Sequence, residues 1–119
     1  MKIINAFESI AAAGKSIKDI DVNYNLYRSY LIAKESENDY IDFNDVIWDN
    51  EVEHIVSDCR TYGIDYITIS STSSSMVETL DKFEEFGCKM VGLTKVTSRY
   101  TDFMTGEKKI VPAFKVKIN

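Results

Sequence analysis

One proline, five glycines, two cysteines and one histidine are all that this 119-residue chain contains of those four types, and each scarcity closes off a class of protein. With so little Pro and Gly the chain is neither collagen-like nor a flexible linker, and no low-complexity tract interrupts it beyond a short run of serines. The two cysteines, Cys59 and Cys88, allow a single bridge at most and fit no zinc spacing. They read as plain thiols buried like small apolar residues. The lone histidine, His54, has no H-E-x-x-H partner, so neither a metal site nor a histidine-based triad has a signature here. No apolar run approaches the roughly 18 residues that a membrane span requires. The opening Met1-Lys-Ile-Ile-Asn-Ala-Phe7 lacks the apolar core of a signal peptide. The expectation is a cytoplasmic protein with no membrane contact and no cofactor.

What is present is ample apolar material. The chain is 45% hydrophobic, with seven Tyr, six Phe and Trp48, enough for one α+β domain over residues 1–119 to bury its own core. Its net charge of −5 is unevenly spread. Residues 35–59 hold nine acids and no Lys or Arg, whereas residues 82–119 hold eight bases against four acids. Such asymmetry speaks to partners and not to fold.

Apolar spacing predicts helices over residues 3–13, stopped by Gly14, and from about Asp19 or Asp21 to Ala33. A third helix is expected to start at Asp42 as N-cap, with Trp48, Val52, Ile55, Val56 and Cys59 on one face and Gly63 at its end. The β-branched run Asp65-Tyr-Ile-Thr-Ile-Ser70 then reads as a strand. A fourth helix carries Met76, Val77, Leu80 and Phe83. Strands follow from Lys89 to about Tyr100 and from Lys108 to Ile118, joined by the turn Asp102–Glu107. Pro112 cannot donate to a ladder, which puts the last strand at an edge or Pro112 at a bulge. The predicted architecture is three N-terminal helices followed by β-α-β-β, with a small mixed three-stranded sheet covered by helices. The strand–helix–strand unit from Tyr66 to Val96 has the makings of a parallel crossover. Three strands leave edges, which a homodimer would protect.

Six consecutive hydroxyl residues, Ser70 to Ser75, lie between a strand and a helix. The bland account is a turn and a helix start, with Ser75 and Glu78 forming a capping box. The sharper account is an anion site at Ser71, Thr72, Ser73, Ser74 and Ser75, where free N–H groups and the helix dipole favour negative charge. No loop glycine and no following lysine support a phosphate cradle, and no elbow motif supports a catalytic serine. No catalytic residue is assigned.

The acidic stretch offers a different chemistry. Asp42, Asp45, Asp49 and Glu53, at near-helical spacing, would display a row of negative charge, with Trp48 or Tyr40 adding apolar contact. A solvated helix face is the plainer account. The functional account is a surface for a basic protein, such as a nucleic-acid-binding partner, by charge complementarity. Direct contact with nucleic acid, for which Arg99, Tyr100, Lys108 and Lys109 gather near the hairpin tip, is disfavoured by a pI of about 4.8.

The segment DYITISSTSSSMVETLDKFEEFGCKMVGLTKV resembles the C-terminal half of the GNAT acetyltransferase superfamily. Phe83, Phe86, Gly87, Val91 and Gly92 follow the rhythm of a strand, a helix ending in "fYeklGF", a strand "k.vG" and a closing strand. The resemblance covers residues 65–118, and the family's R/Q-x-x-G-x-G/A pyrophosphate loop has no counterpart in IDFNDVIWDNEVEHIV. It implies a degenerate half fold without the acetyl-CoA loop, or a divergent domain taking a CoA-type or other phosphorylated ligand at Ser71–Ser75. The whole chain also looks like small uncharacterised proteins of anaerobic gut-type bacteria and their mobile elements. The leading functional expectation is a non-catalytic, acidic regulator, with inhibition of a nucleic-acid-binding protein as one version. The alternatives are the CoA-type domain and a structural homodimer.

Overall fold

The computed structural model describes residues 22–101 and 103–119, apart from the Arg99 side chain. The helix expected over residues 3–13, its Gly14 stop and the caps Asp19 and Asp21 lie outside them. The first described helix, α1 (Tyr24–Glu35), is capped instead by Asn23, whose Oδ1 accepts from Leu26 N–H at 2.9 Å. Leu26, Tyr27, Tyr30 and Ala33 form its buried side.

The expected order of three helices and then β-α-β-β is overturned. After α1 come β1 (Ile41–Phe43), α2 (Asp49–Thr61), β2 (Tyr66–Ile69), α3 (Met76–Glu85), β3 (Lys89–Thr101) and β4 (Lys108–Lys117). Asp42 is therefore not a helix cap but the middle of a strand. An N-cap residue type at Asp42 and apolar residues downstream at helical spacing favour a helix locally, but pairing with β2 holds residues 41–43 as a strand. The helix begins seven residues later. Its cap is Trp48, whose N–H donates to Glu51 Oε2 at 3.0 Å, half of a capping box.

Among the described residues the sheet has four strands in the order β1-β2-β4-β3, not three. β1 pairs parallel to β2, β2 antiparallel to β4, and β4 antiparallel to β3. The strand–helix–strand unit from Tyr66 is thus a crossover between strands running the same way, but β4 is inserted between them. β4 is accordingly an interior strand and not an edge. Pro112 is tolerated because the pairing with β2 stops at Ile69↔Phe114, so only β3 flanks β4 at that point.

Register decides what each face does. Ile41, Ile67 and Val116 stand in one row and Phe43, Ile69 and Phe114 in the next. Ile41, Phe43, Ile67, Ile69 and Val116 of those rows meet Leu26, Tyr30, Val52, Ile55, Cys59 and Phe83 in one core, while Phe114 is only half-buried. The alternate residues, Asp42, Thr68 and Lys115, point to the other face. The distal half of the β3–β4 ribbon leaves the core: Ile110, which strand alternation puts on the same side as Phe114 and Val116, is 64% exposed. It is held by Asn38, which donates to Thr97 C=O and accepts from Thr97 N–H, each at 2.8 Å, and by Lys108 Nζ donating to Ser36 Oγ at 3.1 Å.

The end of α3 is a tight junction. Gly87 has φ +87°, and Arg60 from α2 donates to Phe86 C=O at 2.9 Å and Ile118 C=O at 3.2 Å. A Cβ at residue 87 would lie 3.2 Å from the Arg60 guanidinium. Gly87→Ala is expected to cost about 1–2 kcal/mol, from the left-handed backbone, and a thermal melt lowered by about 5 °C or more would register it.

Candidate functional site

The acidic row does not survive folding as a row. Asp42 sits in β1, turned to the sheet face away from the main core. It accepts from Thr68 Oγ1 at 2.8 Å and Ser70 Oγ at 2.5 Å, while Asn44 Nδ2 donates to Ser70 Oγ at 3.0 Å. Burial raises its pKa above the ordinary 3.8, against the lowering effect of the Ser70 and Thr68 hydroxyls. Arg28 and Ser29 of α1 close over this group, leaving a cavity of about 10 Å³ beside it, room for about one water. Asp45, in the loop after β1, is paired with Arg28. Asp42 is taken up inside the strand pair, and Asp45, although its carboxylate is half-exposed, is held by Arg28.

Asp49 and Glu53 remain together on the exposed side of α2, one turn apart. Trp48 stands immediately before them and is 67% exposed, not buried with Val52 and Ile55 as its spacing suggested. As the cap it lies off the helical face, and Ile47 takes the core position in its place. Trp48, Asp49 and Asn50 share an open groove of about 610 Å³ with Ser75 and Glu78, at the start of α3. The starts of α2 and α3 thus meet beside one exposed indole. Lys82 of α3 bonds to Glu85 at 3.1 Å; its pKa is raised chiefly by that partner, with smaller contributions from Asp49 and Asp81. Glu78 joins the patch although it belongs to another helix, so helical spacing within 42–53 gave no sign of it.

The hydroxyl run serves its own turn. Ser73 N–H donates to Ser71 Oγ at 3.2 Å, Ser75 N–H donates to Ser73 Oγ at 3.3 Å, and the Ser73 and Ser75 hydroxyls lie 2.9 Å apart. These are the local side-chain turns typical of serine. Ser75 occupies the cap position of α3, but its side chain makes no capping bond, so the expected box with Glu78 does not form. Thr72 and Ser74 are exposed. Beside the run, Ser70, Ser71 and Thr72 border an apolar hollow of about 280 Å³ walled by Leu93, Pro112 and Phe114.

His54 is exposed and lies 3.0 Å from Asp58, one turn on, whose Oδ2 also accepts from Asn23 N–H at 2.7 Å. No three His, Cys, Asp or Glu side chains converge on a metal position among the described residues. Cys59 and Cys88 are buried free thiols, and burial pushes both thiol pKa values up. No helix among the described residues is long and apolar enough to cross a membrane.

Fold and site together define a small α+β domain with a mixed sheet, whose distinctive open surface is an acidic helix start tipped by tryptophan. Residues 25–118 match the family described as "Domain of unknown function (DUF7698)", and the chain belongs to that family. No curated protein and no solved structure matches the chain.

Proposed function

We propose that this protein is a small, non-catalytic interaction protein whose Trp48–Asp49–Glu53 patch, widened by Glu78, binds a basic protein surface. Inhibition of a nucleic-acid-binding protein, as anti-defence proteins of mobile elements do, is its most concrete version. The observation that supports the reading is the exposure of Trp48, the chain's single tryptophan, beside Asp49, Glu53 and Glu78, none of which forms a salt bridge among the described residues. An aromatic anchor beside like charges is the composition of a hot spot facing a basic partner. The revised patch omits Asp42 and Asp45.

Affinity capture from host lysate tests it, with wild type beside Trp48→Ala, Asp49→Asn/Glu53→Gln and the internal control Asp42→Asn. The expected result is a partner held by wild type and control, weakened by about 30-fold or more in Trp48→Ala. Equal recovery by all four proteins would remove this surface from consideration.

A divergent acyltransferase-like domain is the second reading. It draws on the succession β2, α3, β3 and closing β4, which follows the order the GNAT resemblance implies. The acids Asp49 and Glu51 at the start of α2 and the self-bonded hydroxyls of Ser71, Ser73 and Ser75 weigh against a phosphorylated ligand. A rise in thermal midpoint with CoA would favour it over the first, which expects none. A ligand-free homodimer joined along β3 is a third reading, which sedimentation would report.

A further inference from the structure

We propose that the sheet face opposite the main core binds single-stranded nucleic acid through the phosphates, on a platform formed by Lys89, Lys115 and Lys117 with Tyr40 and Tyr66. The residues come from four separate segments and only the register unites them. Tyr66 pairs with Lys117, and Lys117 with Lys89, so the three side chains stand in one row on one face. Tyr40, one residue before the Ile41↔Ile67 pair, extends that row and meets Tyr66 edge-on at 6.2 Å. Lys115 stands in the next row. Its ammonium lies 4.6 Å from the Tyr40 ring centre and 4.7 Å from that of Tyr66, and it donates to Tyr40 Oη at 3.0 Å.

Two features of this row point to an anionic occupant. Lys89 and Lys117 are like charges directly opposed across a strand pair, an arrangement that works against the sheet. No carboxylate pairs with either, or with Lys115, among the described residues. Second, the tyrosines hold Lys115 in place, so little side-chain freedom remains to be lost when an anion arrives. A polymer suits the surface better than a compact acidic protein. Residues 89–117 carry seven bases and two acids, and although the register puts Lys95, opposite Pro112, on the other side, the excess of positive charge follows an extended ribbon. Lys95 shares a neighbouring hollow with Tyr40; Glu37 and Asp39 share it too, which confines the platform to the lysine row.

The low pI argued against nucleic acid only while charge was averaged over the molecule. Folding separates most of the charges: Asp49, Glu53 and Glu78 are exposed on helices, whereas Asp42, the acid in the row of Thr68 and Lys115 on the platform's own face, is half-buried and bound by the Thr68 and Ser70 hydroxyls. The proposal uses a surface distinct from the Trp48 patch and stands or falls apart from it.

Fluorescence anisotropy of a labelled oligothymidylate of about a dozen nucleotides tests it on the full chain. Wild type should bind saturably at about 50 mM salt and weaken steeply towards 200 mM, with a log–log slope near −2 for about three phosphates. Lys89→Gln/Lys117→Gln should lose tenfold or more in affinity and keep its thermal melt, since both side chains are exposed. Lys115→Gln should lose affinity as well, and Asp49→Asn/Glu53→Gln should keep it. Absence of binding at low salt overturns the proposal, as does binding that the double lysine variant retains. Displacement by polyglutamate as effective as by unlabelled oligonucleotide would assign the face to acidic protein and overturn the nucleic-acid reading.

Discussion

Phe43→Ala is expected to cost about 3–5 kcal/mol, the range for truncating a buried phenylalanine. Against a total stability of about 5–15 kcal/mol that is about a fifth or more, readable as a lowered urea midpoint with little change in slope. Phe43 has no exposed surface, and with Ile41 it is all that β1 contributes to the core. The variant also separates two architectures. Were residue 43 in the first turn of a helix capped by Asp42, alanine would be the better helix former and the change near neutral. A loss below about 1 kcal/mol would therefore argue against the strand, and with it against the four-stranded sheet.

Asp42→Ala and Asp42→Asn should part company. Alanine leaves the Thr68 hydroxyl, which is fully buried, and the Ser70 hydroxyl without their acceptor, and is expected to cost about 1–3 kcal/mol. Asparagine keeps the shape and an acceptor oxygen without the charge that burial penalises. The sign of the pH dependence follows from the raised pKa. The folded state holds the proton more tightly than the unfolded chain, so this group's contribution is most favourable below its ordinary value of 3.8. That contribution is lost as pH climbs through the higher folded value. Asp42→Asn should thus match wild type in mild acid and gain on it towards neutrality, in parallel urea titrations. A difference that stays flat with pH would mean that Asp42 titrates in the fold as it does in the unfolded chain.

The missed strand had a trace in the sequence that helix logic overrode. Tyr40-Ile-Asp-Phe-Asn44 echoes Tyr66-Ile-Thr-Ile-Ser70: both alternate apolar with polar or tyrosine at a period of two. The second was legible because four of its five residues favour strands. In the first, Asp42 and Asn44 are strand-poor and cap-rich, and three paired residues are too few for periodicity to outweigh them. Parallel pairing with β2 supplies the hydrogen bonds that Ile41–Phe43 lacks alone. The same pairing brings Asp42 to Thr68 and Ser70, taking it out of the acidic surface.

By itself the sequence determined what depends on near neighbours along the chain. The ranges of α3, β2, β3 and β4, the apolar side of α2 through Val52, Ile55, Val56 and Cys59, and the use of serine hydroxyls in a turn all follow from side chains a few residues apart. Only the tertiary structure decided what depends on strand order and register. It inserted β4 between β2 and β3, turned Asp42 onto Thr68 and Ser70, and left Trp48 outside. It also aligned Tyr40, Tyr66, Lys117 and Lys89 across four segments. The reason is physical: a turn or a helix face closes through local hydrogen bonds, whereas pairing partners are chosen by burial of the whole apolar face, which depends on all the segments at once.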